Sequence, residues 1–163
     1  MAIHGIEQPA IIRIDDSLRL RKYDGVHDFA LEWYQDADMV WLVDGIRKPY
    51  TMERLDRMYH YLNSAGELYF IEFLDSGIYK PIGDVTFWQD DMPIVIGDPH
   101  YRGKGIGRKV ISALIKRGKE LGYNYLAVAE IYDWNDASRR CFEHVGFTAC
   151  KRSEKGNAYR LLL

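Results

Sequence analysis

The chain has 163 residues, 47% of them apolar and 28% charged, with a formal net charge of -2. That length suits one compact domain over residues 1–163 whose core needs no disulfide or metal, and the composition excludes disordered and fibrous classes. The near-neutral charge excludes a general electrostatic pull toward nucleic acid or an acidic membrane surface, so any anion must be bound locally. Cys141 and Cys150 are the only cysteines, and their spacing matches neither a zinc site nor a disulfide framework, which fits a reducing compartment. Met1 to Ile12 lacks the basic head and long apolar stretch of a secretory signal. No apolar run approaches the ~20 residues that span a bilayer, so a cytoplasmic location is expected.

Alternation in Leu18 to Tyr23 predicts a first strand with one buried face. Val26, Phe29, Ala30, Trp33 and Tyr34 recur at helical spacing, and Asp36-Ala37-Asp38 suits the end of that helix or a turn. Thr51 caps a second helix running to about Asn63, with Gly66 just past its end. Leu68 to Leu74 and Pro81 to Trp88, joined across Asp75-Ser76-Gly77, read as a hairpin. Ile94 to Ile96 is a short buried strand. A long helix follows from about Gly105 to Leu121 and stops at Gly122. Tyr125 to Ile131 is another buried strand, Asp136 to Val145 a short helix, and Phe147 to Leu163 a terminal hairpin turning at Glu154 to Asn157. The order predicts a mixed α/β fold of the α+β kind, one mostly antiparallel sheet in a single layer flanked by about four helices.

Between the strand near Gly97 and the long helix stand Gly103, Gly105 and Gly107, with Arg102, Lys104 and Arg108 interleaved. A helix N-terminus leaves amides without partners and carries partial positive charge, so phosphate oxygens bind there, and glycine lets the backbone approach them closely. The spacing G-x-G-x-G and the late position exclude a dinucleotide-binding turn, and no Gly-Lys-Ser or Gly-Lys-Thr exists to form a P-loop. From the residues alone, the turn predicts a phosphate-bearing ligand.

The stretch Ile94 to Phe147 resembles the central region of the GNAT superfamily of N-acetyltransferases. The family pattern Arg/Gln-x-x-Gly-x-Gly/Ala is met by Arg102, Gly105 and Gly107. A second block is similar to Asn135-Asp136-Ala137-Ser138 followed by Glu143-His144-Val145-Gly146-Phe147. The resemblance implies a V-shaped splay between the fourth and fifth strands that holds acetyl-CoA. Pantetheine would pair with main chain at Val95, Ile96 and Gly97. The pyrophosphate would sit on the turn of Arg102, Gly103, Lys104, Gly105, Ile106, Gly107 and Arg108, and Asn135 and Ser138 would flank the pantetheine arm. Asn135 reads equally as a helix cap.

Acetyl transfer to an amine needs a base for the ammonium proton and a proton source for the leaving thiolate. Glu130, on the fifth strand, is similar in position to the glutamate base of ribosomal-protein alanine acetyltransferases of this superfamily. Asp84, on the third strand, is the second candidate. Where many members carry the tyrosine acid this chain has Phe142, which leaves Tyr132, Tyr101 or a water as proton source, or a CoA that leaves as a thiolate stabilised by helix N-termini and polar groups.

The first half of the chain combines Trp33, Tyr34, Trp41, Tyr50 and Trp88 with Asp36, Asp38, Asp44, Asp84, Asp90 and Asp91, and such aromatic and acidic groups favour a cationic acceptor. Trp33, Trp41, Trp88, Asp90 and Asp91 are the expected substrate contacts. The expected acceptor is the amine of an aminoglycoside-like sugar, a polyamine or a peptide N-terminus. The expected partners are thus a small molecule or peptide, with no nucleic acid, membrane or metal, and a homodimer is compatible with the fold. The missing tyrosine favours one competing reading, a non-catalytic acyl-CoA sensor of the same fold. A nucleotide site at the glycine turn is the other.

Overall fold

The computed structural model describes residues 3–163. A strand that the sequence pattern did not reveal opens it: β1, Ile11–Arg13, pairs antiparallel with β2, Leu18–Lys22. Three residues are too few to display a period. The turn between them is set by Asp15, whose Oδ1 accepts the amides of Ser17 and Leu18, each at 2.8 Å.

The helix expected from Val26 is shorter than its pattern. A single 3-10 turn, Asp28–Ala30, leads into α1, Leu31–Tyr34. Asp36 does not end a helix. It starts one, because its carboxylate accepts the amides of Asp38 at 3.0 Å and Met39 at 3.4 Å and so caps α2, Ala37–Asp44. α3, Met52–Ala65, is capped as expected by Thr51, whose Oγ1 accepts from the Arg54 amide at 3.2 Å. The hairpin β3, Glu67–Asp75, and β4, Ile78–Phe87, is followed by β5, Ile94–Ile96, and α4, Ile106–Glu120. Then come β6, Tyr125–Tyr132, α5, Asp136–His144, β7, Thr148–Arg152, and β8, Gly156–Leu162.

The strands do not pair into one continuous sheet. β1 to β5 form an antiparallel sheet in chain order, and a second sheet has the order β6-β8-β7. Because β1 shifts the count, the expected fourth and fifth strands are β5 and β6, and the fold divides between them. Among the described residues, the hydrogen bonds between the two sheets lie beside the β4–β5 connection, where the Ala127 amide donates to Gln89 O at 2.9 Å and the Ala129 amide to Asp91 Oδ1 at 3.0 Å. A register shift between Val128 and Ile131 leaves Ala129 and Glu130 outside the β6–β8 ladder, which frees the first for Asp91 and turns the second toward the opening.

The first sheet is buried on both faces. Leu68 and Phe70 of β3 pack with Trp33, Tyr34, Leu55 and Tyr59 beneath α1 to α3, while Tyr69 and Ile71 pack with Val110, Ile111 and Leu114 of α4. Each such side chain contributes about 1.5–3 kcal/mol. This two-sided packing holds β4 and β5 rigid, so groups they aim into the division between the sheets are fixed in place.

Candidate active site

Two cavities lie in that division. The first, about 560 Å³, runs along β5 past the glycine turn and is lined by Ile94, Val95, Ile96, Arg102, Gly103, Gly105, Ile106, Gly107 and Arg108, with Asn135, Ser138, Arg140 and Cys141 opposite. The second, about 320 Å³, lies under α2 and α3 and holds Asp84, Asp44, Asp91, Glu130, Tyr34, Tyr50, Tyr61 and Tyr132. Leu42, Val43, Ile94, Val95, Asn135 and Ser138 line both, so the two are halves of one cleft.

The helix that opens onto the larger cavity is distinctive. Side chains cap α2, α3 and α5, namely Asp36, Thr51 and Asn135, but none caps α4 or the short α1, which continues a 3-10 turn. Its N-cap is Gly105, at φ +78°, after Gly103 at φ +71°, and a Cβ at either would meet nothing within 4 Å. Both glycines thus hold left-handed backbone beside open space, and the first-turn amides of α4 have no side-chain acceptor. This is the cradle a diphosphate requires, with Arg108 and Arg140 on its rim. The residues present fit acetyl-CoA.

Not every residue expected to hold that ligand faces it. Gly97 is buried against Trp33, whose Cγ would lie 2.2 Å from an added Cβ, and it lines neither cavity. Arg102 lines the cleft but turns its guanidinium back onto the end of β5, donating to Ile96 O at 2.9 Å and Gly97 O at 3.2 Å, with Asp36 at 3.8 Å. It fastens the turn to the strand. The Lys104 ammonium stands 5.7 Å from the Tyr101 ring centre and lies outside the cleft lining. Asn135 caps α5 by accepting from the Ser138 amide at 3.2 Å, and its Nδ2 donates to Leu42 O at 3.3 Å. The cap and the cleft wall are therefore one residue.

The three expected catalytic groups, Glu130, Asp84 and Tyr132, all line the smaller cavity, but in different settings. Asp84, opposite Val95 in the β4–β5 register, is 2% exposed. Its Oδ2 accepts hydrogens from Tyr34 Oη at 2.7 Å and Tyr59 Oη at 2.8 Å. Burial pushes its carboxyl up to about 6, and the two phenols limit the rise. Glu130 is exposed and accepts the Ser153 hydroxyl. Tyr132 donates to Asp44 O at 3.5 Å and stacks on Trp134, with centroids 4.7 Å apart; burial, then the Glu130 and Asp44 charges, raise its phenol.

Four of the five expected substrate contacts lie elsewhere. Trp33 belongs to the core. Trp41 stacks on Trp134 at 4.5 Å, in a column that joins α2 to the end of β6. Trp88 covers Gly66, where an added Cβ would come within 2.6 Å of its ring. Asp90 accepts the Tyr125 hydroxyl at 2.7 Å. Asp91 alone of the five lines the cavity, with burial raising its carboxyl against the Ala129 and Met92 amides. Leu42, Val43, Met58 and Tyr61 are lining residues that sequence reasoning missed. For the first two, the signal was Asp36 as an N-cap with apolar Met39 and Val40 behind it. Phe142 meets Phe147 edge-on at 5.2 Å. Ser138 stands one helical turn before Phe142, and both line the smaller cavity.

Among the described residues no helix is long and apolar enough to cross a membrane, and no group of three or more His, Cys, Asp and Glu could hold a metal.

A family model described as an acetyltransferase (GNAT) domain matches residues 17–148. No curated protein sequence matches the chain. Among solved structures, a domain from Methanocaldococcus jannaschii is similar with a TM-score of 0.75 and 23% identity, over 91% of this chain and 100% of that one. A GNAT-family acetyltransferase from Bacillus anthracis gives 0.74 and 19%, over 93% and 98%. The microcin C7 self-immunity acetyltransferase MccE, solved with acetyl-CoA and AMP, gives 0.72 and 17%, over 96% and 98%.

Proposed function

The chain belongs to the GNAT acetyltransferase family, and from that premise we propose that it transfers the acetyl group of acetyl-CoA directly to a primary amine of a small cationic molecule or a protein N-terminus. The observation that carries this reading is the shared wall of the two cavities. A donor lying along β5 and an acceptor amine entering under α2 and α3 come together at this wall, where Val95, Asn135 and Ser138 stand with Leu42, Val43 and Ile94. Bound acetyl-CoA supplies an activated thioester carbonyl.

The remaining chemistry falls to the chain. Asp84 is the base rather than Glu130. It is buried beside the shared wall, and its carboxyl at about 6 is ionised at neutral pH yet basic enough to take an ammonium proton. Glu130, exposed and already accepting from Ser153, attracts the cation on its way in. On the donor side, Ser138 at the N-terminal turn of α5 offers its hydroxyl and the positive end of a helix to a leaving sulfur, in the place Phe142 cannot serve. Tyr132 stays protonated beside it. Asp44, Asp91 and Glu130 make the acceptor cavity anionic, which selects a cation over a neutral or acidic substrate.

A panel of aminoglycosides, polyamines and N-terminal peptides, followed by release of free thiol from acetyl-CoA, tests the reading. Thiol release that depends on a cationic primary amine is expected. Tight CoA binding with no amine accelerating release would instead identify a sensor of acyl-CoA.

A further inference from the structure

Asp84 is held in an unusual way. Both of its side-chain hydrogen bonds, from Tyr34 at 2.7 Å and Tyr59 at 2.8 Å, end on the same oxygen, Oδ2, and Oδ1 accepts none. Oδ1 is not sealed in protein either, since Thr86 Oγ1 is the one enclosed side-chain atom without a partner among the described residues. Asp84 lines the acceptor cavity, so its free oxygen is the atom it offers there. The two phenols come from separate elements, Tyr34 closing α1 and Tyr59 in the middle of α3, and both are buried. Burial and the Asp84 charge push both phenols far above their ordinary range, so they act only as donors.

No cation completes this arrangement. The other ionisable groups lining the cavity are the carboxylates of Asp44, Asp91 and Glu130 and the phenols of Tyr34, Tyr50, Tyr61 and Tyr132. Arg54, on α3, is held by Asp44 at 3.1 Å and lies over the Tyr50 ring at 4.1 Å. A buried carboxylate with two donors on one oxygen and none on the other lacks one charged partner.

We propose that Tyr34 and Tyr59 are positioning residues that lock Asp84 so that Oδ1 alone faces the acceptor, and that the missing partner is the ammonium of the acceptor itself. This rests on the acetyltransferase reading for the nature of the acceptor. The ammonium binds Oδ1 as its counter-ion, gives that oxygen one proton, and is left as the neutral amine; its nitrogen forms the new C–N bond as the thioester C–S bond breaks, and the second proton the nitrogen sheds leaves on the CoA thiol. By donating to the ionised form, the phenols also keep Asp84 charged at neutral pH.

The test is the pH dependence of Tyr34→Phe and Tyr59→Phe, each of which removes one hydroxyl from the core and keeps the ring. Each change moves the acidic limb of kcat/KM upward by about one pH unit, a loss of about tenfold at pH 5 that shrinks to less than about twofold at pH 8. An equal loss at every pH, or an unmoved limb, would overturn the positioning role. Carboxyl-carbon NMR of 13C-aspartate protein, with Asp84→Asn to assign the signal, reads the same midpoint without turnover. The signal rises in pH in either variant and falls when a primary alkylammonium is added to the wild type. A midpoint indifferent to both phenols and to the ammonium would end the inference even if acetyl transfer occurs. A midpoint that responds in a protein acetylating no amine would instead remove the acetyltransferase reading.

Discussion

Replacing Asp84 by Asn is expected to lower kcat/KM by about 100- to 1000-fold at neutral pH while leaving CoA affinity unchanged and making the protein more stable. The kinetic loss is the contribution of a positioned general base. CoA affinity survives because Asp84 lines only the acceptor cavity. The amide is isosteric, and its oxygen still accepts from Tyr34 and Tyr59.

The stability gain follows from the direction of the shift. The folded-state carboxyl, at about 6, lies above its unfolded value near 3.8, so the native state holds the proton more tightly. Its favourable contribution is complete below pH 3.8 and is lost as pH rises through about 6, where the buried carboxylate must ionise. At pH 7.5 that ionisation costs up to about 3 kcal/mol, which asparagine avoids. Thermal melts should show Asp84→Asn above the wild type at pH 7.5 and level with it at pH 4. A variant with wild-type turnover, or one less stable at pH 7.5, would mean that Asp84 is a packing residue. Stability given up at a site that gains activity is what a functional carboxylate predicts.

The second large effect is at the glycine turn. Gly105→Glu should weaken CoA binding by at least about 100-fold in a calorimetric titration, with the fold intact. Nothing lies within 4 Å of a Cβ at this position, so the side chain enters open space without collision. Two costs remain. A residue other than glycine at φ +78° is disfavoured by about 1–2 kcal/mol. The new carboxylate also occupies the uncapped amides of α4 that a diphosphate needs. Gly105→Ala separates them, carrying the backbone strain without the charge, and should lose about tenfold or less. Part of the glutamate effect should fade with added salt, since the rim is exposed. Undiminished CoA affinity in Gly105→Glu would remove the turn from the cofactor site.

What was legible in the sequence follows from what local pattern can carry. α3 and α4 have long amphipathic faces and clear boundaries, and the hairpins have turn chemistry, so their expected bounds lie within two residues of the observed ones, except that β4 starts three residues before Pro81. The glycine turn was legible because glycine and cation spacing is itself the binding feature. α2 is not legible, because an aspartate suits the end of one helix as well as the start of the next, and α2 forms the roof of the acceptor cavity. Trp33, Trp41 and Trp88 were expected in the cleft because tryptophan suits ligand walls, yet each is spent on a close approach of backbone or ring that no single-residue property reveals. The pairing of Tyr34 and Tyr59 on one oxygen of Asp84 joins residues 25 and 50 positions apart in the chain. Only the fold brings them together.

The central claim is that the cavity along β5 and the cavity beneath α2 and α3 are two halves of one active site, meeting at Val95, Asn135 and Ser138. The most direct measurement is the affinity of a bisubstrate conjugate, CoA carrying the best amine of the panel through a short acetyl linker on its sulfur. Linked ligands that engage both halves at once should bind at least about 100-fold more tightly than CoA, and Asp84→Asn should remove most of that gain. A conjugate that binds no better than CoA would contradict the joined site.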